Sequence, residues 1–173
     1  MITLGVSIMI RFSWVRRWLL GLMAFAWGFC LWSGPVWAED RYVTNFLQVT
    51  DTVAIPLNQA GETQSFSAED LSEGKELFLQ NCMNCHVGGA NLPFPTVSLS
   101  LTALAGATPP RNNLTNLVGY MRHPMVYDGS EETYWCREVT ESWMSQEKIE
   151  NLAAFILRAA EKAPGWGAPI IDQ

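Results

Sequence analysis

The densest chemistry in this chain lies in Cys82-Met83-Asn84-Cys85-His86. Two thiols at this spacing can reach the two vinyl groups of one porphyrin and become thioethers, and the histidine that follows then falls under the iron as its first axial ligand. The pattern predicts one covalently attached haem c. Two other chemistries use thiols at this spacing. A thiol-disulfide exchange pair needs a thioredoxin-like βαβ setting, which the flanking sequence lacks. A zinc site would recruit Cys82, Cys85, His123 and Cys136 and leave His86 idle.

The far side of the iron needs a second donor, and Cys136, His123, Met144 and Met121 compete for it, with Met125 behind them. His123 precedes Pro124 near an expected helix end, where an imidazole caps carbonyls or meets solvent. Met144 fits the entry of the last helix as half of a hydrophobic staple, and Met121 fits the inner face of its own helix, so both have packing roles. Cys136 has no such role. With Cys82 and Cys85 alkylated and Cys30 removed with the leader described below, it is the one thiol left in an exported chain. An intermolecular disulfide or an inert buried thiol are its alternatives. Ligation of iron by the Cys136 thiolate is the first expectation, with His123 as the fallback.

The first 38 residues have the form of a signal peptide: Arg11, Arg16 and Arg17 precede an apolar run from Trp18 to Trp37. Val36-Trp37-Ala38 before Glu39-Asp40 predicts cleavage after Ala38; the competing reading is an uncleaved membrane anchor. Glu39 to Gln173 then has the length of one compact domain. The leader takes three of the 11 Lys and Arg and none of the 17 Asp and Glu. The remaining chain is strongly acidic. Such a surface repels nucleic acid and anionic lipid and is steered towards basic patches on proteins.

Elements that could position this chemistry are legible in outline. Val53, Ile55 and Leu57 alternate with polar or small residues, and Asn58 to Gly61 reads as a turn before Thr63 to Phe66, so a hairpin is expected over 49–66. Ser67 can cap a helix to about Asn81, with Glu69 and Asp70 in its first turn. Gly74 inside that helix costs about 1 kcal/mol relative to alanine, which implies a second helix crossing closely there. The segment 87–111 is rich in Gly, Pro, Ser and Thr and reads as loop with one short helix around Ser98 to Ala105. Asn113 caps a helix through Met121, and Pro124 stops it. Ile149, Leu152, Ala153, Ile156 and Leu157 paint one face of a last helix capped by Ser145.

Taken together, several segments are similar to the cytochrome c-550 family, the extrinsic low-potential cytochrome of cyanobacterial photosystem II. They are V-A-I-P-L-N at 53–58, L-S-E-G-K-E-L-F at 71–78, C-M-N-C-H-V-G-G at 82–89, L-A-G-A-T-P-P-R-N-N-L at 104–114, L-V-G-Y-M-R-H-P-M-V-Y-D-G at 117–129, and the last helix through Leu157. The resemblance implies an all-α, monohaem, class I-like cytochrome c fold with an N-terminal β-hairpin, on the lumenal side of the thylakoid. In the family a histidine eight residues after Y-D-G is the second axial ligand. Here Cys136 follows Gly129 by seven, so the resemblance points to the position that the leftover thiol already marks. The stretch from there to the last helix is shorter than in the family, and the C-terminus lacks the family's aromatic pair. These departures mark a diverged paralogue.

Three functions compete. The first is a low-potential carrier passing one electron to or from a redox protein. The second is a structural subunit docked peripherally on the lumenal face of photosystem II. The third is a haem sensor or enzyme with a labile sixth ligand, for which the sequence offers no acid-base pair. The order of expectation is carrier, subunit, enzyme.

Overall fold

Val53 and Ile55 share a face of a strand whose other face is Thr52, Ala54 and Pro56, and that alternation builds a half-buried hairpin. In the computed structural model β1 (Thr52–Pro56) pairs antiparallel with β2 (Thr63–Ser67), Val53 opposite Phe66 and Ile55 opposite Gln64. Asn58 closes the turn by accepting the Ala60 N–H at 2.9 Å, and Gly61 adopts φ +86°, which a side chain would resist. The pairing starts at Thr52, later than the expected 49, because the Val49 N–H turns back to the Val43 carbonyl at 3.2 Å. That bond closes a one-turn helix, α1 (Arg41–Asn45), which the sequence reading does not contain; five residues are too few to show a period. Asp40 caps it by accepting the Tyr42 N–H at 2.9 Å.

The chain divides into two units, Met1–Ala38 and Glu39–Gln173. The structure describes residues 40–90 and 97–168 together with Trp18. The leader reading and the C-terminal tail from 169 onward lie outside the described residues.

Helix α2 (Ala68–Asn81) starts at Ser67 with a reciprocal capping box. The Ser67 hydroxyl accepts the Asp70 N–H at 3.1 Å, and the Asp70 carboxylate accepts the Ser67 N–H at 2.8 Å. Helix α3 (Leu101–Gly106) is capped by Ser100, so the short helix begins three residues after the expected Ser98. Helix α4 (Leu114–Arg122) is capped by Asn113, and α5 (Gln146–Lys162) by Ser145. Met144 and Ile149 are both buried, as a staple requires.

The core lies between α2, α4, α5 and the inner face of the hairpin, with Phe78, Leu117, Leu152, Phe155 and Ile156 at its centre. Burying a side chain of this size contributes about 1.5–3 kcal/mol. Gly74 is where α2 meets α5, as its placement inside a helix implies. Thr115 ties α4 to the hairpin through two bonds to the Leu57 carbonyl, from its N–H at 3.0 Å and its hydroxyl at 2.8 Å. The buried Arg158 donates to the Leu47 carbonyl at 2.9 Å and pairs with Glu161 at 2.8 Å, so its charge is partnered where α1 packs down.

Candidate functional site

Cys82 is the C-cap of α2, and its own N–H still donates to the Phe78 carbonyl at 2.8 Å. Its carbonyl then accepts two bonds, from the Cys85 N–H at 3.1 Å and the His86 N–H at 2.9 Å. This tight turn winds the five-residue motif back on itself and brings both thiols and the imidazole to one side of the helix end. After His86 the chain reverses through Gly88 at φ +58° and Gly89 at φ +73°, inside a 3₁₀ turn (Val87–Gly89).

The motif forms one wall of an open apolar cleft of about 930 Å³, counting the space open to solvent at its mouth. Cys82, Cys85 and His86 line it together with Cys136. Leu117, Tyr120 and Met121 of α4 and Leu152 and Ile156 of α5 supply the floor and far wall, with Trp135, Trp143 and Met144 from the segment between the helices. Met121 and Met144 also belong to the buried core, in keeping with their packing roles. His123 does not line the cleft. It is exposed, in a separate hollow with Pro124, Glu132 and Glu138, and its N–H ends α4 on the Gly119 carbonyl at 2.9 Å. Cys136 borders both spaces, between the cleft and this outer hollow.

The donor set fits a large flat cofactor better than a bare ion. Among the described residues no three His, Cys, Asp or Glu side chains converge closely enough to share a metal ion. Sulfur and imidazole are instead spread around an apolar space, and Nδ1 of His86 is buried. Burial pushes the Cys82 thiol up to about 12, with negative charge on Cys136 and Cys85 adding to the shift. The three sulfurs therefore feel one another across a single site. Burial also raises the Cys136 thiol, opposed by a hydrogen bond from the Tyr120 hydroxyl and by the positive charge of Arg111. Burial raises Tyr120 as well, with Cys136 pushing the same way. The Arg111 guanidinium lies 3.8 Å from the centre of the Tyr120 ring, so a buried cation, a phenol and the sulfur form one connected group.

The frame around Cys136 comes from remote residues. Arg111 donates to the carbonyls of Met125 at 3.1 Å and Val126 at 2.8 Å, which fixes the turn that carries Tyr127-Asp128-Gly129. Gly129, at φ +75°, lies against the Thr108 carbonyl, and the Tyr127 hydroxyl donates to the Ala103 carbonyl at 2.8 Å. The two motif segments at 104–114 and 117–129 thus hold each other. Arg122 braces the next stretch through the carbonyls of Val139 at 2.7 Å and Met144 at 3.0 Å.

On the motif side, Trp166 packs on Phe78 and Phe155, with ring centres 5.1 and 5.7 Å away, and lies directly against Gly89. Its indole N–H donates to the Leu99 carbonyl at 3.0 Å, and the Leu99 N–H donates to the Gly89 carbonyl at 2.8 Å. Reading the residues in order gives Arg111, Tyr120, Trp143 and Trp166 no role in this site, although Arg111 and Tyr120 fall within the motif segments at 104–114 and 117–129. The tryptophan between two glycines at 165–167 is the one signal that marks a packed turn.

The cytochrome c-550 domain model matches residues 43–173. A cytochrome c-550-like protein of Trichodesmium erythraeum (strain IMS101) is 62% identical over 130 residues, which cover 75% of this chain and 79% of that protein. Photosystem II extrinsic protein V of Gloeobacter violaceus (strain ATCC 29082 / PCC 7421) is 54% identical over 134 residues, 78% of this chain and 72% of that one. The crystal structure of the PsbV2 cytochrome from the cyanobacterium Thermosynechococcus elongatus superposes with a TM-score of 0.74 at 59% identity, over 76% of this chain and all of that one.

Proposed function

The chain belongs to the cytochrome c-550 family, with a covalently bound c-type haem as its cofactor, and from that premise we propose that it is a low-potential one-electron carrier of the thylakoid lumen. In this reading Cys82 and Cys85 hold the haem as thioethers, His86 is the proximal iron ligand and Cys136 the distal one. One observation carries it: Cys82, Cys85, His86 and Cys136 line the same apolar cleft, while His123 lies outside. When bound, the haem supplies the ferric-ferrous couple, and the protein sets its potential through axial donors and surroundings. An anionic sulfur favours the ferric state, so the potential lies well below that of a His/Met site. The Tyr120 hydroxyl and the buried Arg111 both favour the anionic form of that sulfur.

The name of the Gloeobacter relative, photosystem II extrinsic protein V, supports peripheral association with photosystem II, as carrier or as a structural subunit. Among the described residues no helix is long and apolar enough to cross a membrane. The mature chain begins at Glu39, which N-terminal sequencing checks. Binding of the purified protein to washed photosystem II cores separates a stable subunit from a mobile carrier.

Ferric electron paramagnetic resonance tests the ligand set. Low-spin thiolate haem has a compressed spread of g values relative to bis-histidine haem. Cys136→Ser should change the spectrum and raise the potential, Cys136→His should give a bis-histidine spectrum, and His123→Ala should leave both unchanged. Identical ferric spectra from the wild type and Cys136→Ser would sink the assignment.

A further inference from the structure

Among the described residues two arginines are buried, Arg158 at 9% exposure and Arg111 at 7%. Arg158 is paired with Glu161 at 2.8 Å. Arg111 has no such partner: among the described residues no carboxylate forms an ion pair with it, and its guanidinium bonds, both from Nη2, go to the carbonyls of Met125 and Val126. Carbonyls satisfy donors but cancel no charge. A buried cation left without an anion is strongly destabilising, and the sequence supplies no acid nearby, because Arg111 is the only Lys, Arg, Asp or Glu between Leu77 and Met121. Burial works against its charge, and the groups that support it are Tyr120, Cys136 and Tyr127, with no carboxylate among them.

Position supplies a second observation. Arg111 lines a hollow of about 340 Å³, counting space open to solvent, and Leu99, Leu117 and Tyr120 line both this hollow and the cleft. Cys82, Cys85 and His86 border the cleft but not the hollow, which therefore lies away from the thioether side. In haem the two propionates leave the ring on the edge opposite the vinyl groups, and the vinyl groups are what the thiols take. Ferric iron, a porphyrin dianion and one thiolate sum to no net charge. The propionates are then the anions that the bound group brings, and the unpaired cation stands on their side of the site.

We propose that Arg111 is the counter-ion of one haem propionate, a positioning residue that orients the macrocycle in the cleft. A guanidinium suits this role because it offers its donors in a planar fork that matches a carboxylate and stays charged when buried. Stacking on the Tyr120 ring at 3.8 Å and the two carbonyl bonds hold that fork in place. The inference rests on the proposed ligand set.

The test marks the cofactor itself. Cells expressing the full chain are fed aminolevulinate isotope-labelled in its carboxyl carbon, which labels only the two propionate carboxyls of the haem. Infrared spectra of the ferric holoprotein then separate these groups from every Asp and Glu. We expect two distinct labelled carboxylate bands, one of them shifted by the guanidinium. Arg111→Gln should move the shifted band onto the other and lower the midpoint potential, because a buried cation disfavours ferric iron. Arg111→Lys keeps the charge and should hold the potential nearer to the wild type. Arg41→Gln makes the same charge change on an exposed residue of α1 and should move neither reading. In the wild type alone, acid should remove one labelled carboxylate band well before the other, since a carboxylate beside a cation keeps its charge to lower pH.

Labelled bands that are the same in the wild type and Arg111→Gln would overturn the pairing. Where Arg111→Gln does not accumulate as holoprotein, the wild-type acid titration decides, and loss of both bands together overturns it as well. So would inorganic phosphate that raises the Tm of the wild type and not of Arg111→Gln, which would make a solution anion the partner. Ferric electron paramagnetic resonance of the same samples keeps the two readings apart. A wild type without the thiolate signature overturns the ligand set and the charge count built on it, whereas a thiolate signature with unmoved propionate bands overturns only the role of Arg111.

Discussion

A Cβ built on Gly74 of α2 would lie 2.7 Å from the carbonyl carbon of Asn151 on α5 and 2.9 Å from Cβ of Phe155. The two helices meet backbone to backbone, and the Asn151 amide bonds Glu73 at 2.8 Å beside the contact. Helix propensity alone would make Gly74→Ala stabilising by about 1 kcal/mol. Overpacking against main chain acts the other way, and it wins because neither backbone has a flexible end to move. We expect Gly74→Ala to destabilise the holoprotein by about 2 kcal/mol, read as a fall in Tm of several degrees. A rise in Tm would show that the crossing is looser than this contact implies.

Trp166 holds the segment that contains Leu99 against the turn after His86. Trp166→Phe keeps most of the ring but loses the bond to the Leu99 carbonyl, and should cost about 1 kcal/mol. Trp166→Ala also empties the space beside Phe78 and Phe155 and should cost about 3 kcal/mol. Chemical denaturation followed by haem absorbance and by tryptophan fluorescence orders the three proteins. Equal stabilities would mean that the C-terminal turn is decoration.

Covalent attachment makes haem retention independent of folding. The double variant Cys82→Ala, Cys85→Ala should lose all haem stain on a denaturing gel, and His86→Ala should keep it while losing the low-spin spectrum. Stain surviving the double change would overturn the attachment reading.

Asp40 provides a pH signature. Burial pushes its carboxyl up, but the Lys75 ammonium, the Tyr42 and Val43 N–H groups and the Lys75 charge more than offset this and hold it below the usual carboxylate range. A depressed folded-state pKa means that the stabilisation is complete above the unfolded value, near 3.9, and is lost as pH falls through the lower folded value. Asp40→Ala removes both the α1 cap and the ion pair, and should cost about 1–2 kcal/mol at neutral pH. Unfolding midpoints of the two proteins should converge below about pH 4. A difference that persists undiminished in acid would assign the loss to something other than the carboxylate.

The motif, the helix caps and the last helix are readable in sequence because each depends on residues within one or two turns. Ser67, Asn113 and Ser145 satisfy N–H groups three positions ahead, and the apolar stripe of α5 repeats at the pitch of the helix. Cys82, Cys85 and His86 form a wall of the site for the same reason: two hydrogen bonds to a single carbonyl close their turn. The far wall obeys no such rule. His123 and Cys136 are both near the end of α4 in sequence, and only the bracing of 125–126 by Arg111 and of 139–144 by Arg122 turns Cys136 towards the cleft and leaves His123 outside. Those contacts join residues that are more than ten positions apart, where chain connectivity says nothing about proximity and the loop entropy must be offset by packing. The same holds for Trp166, whose indole reaches Leu99 across most of the domain. Residue types and short spacings were enough to specify the chemistry of this protein; which side chains share its cleft was decided by tertiary packing.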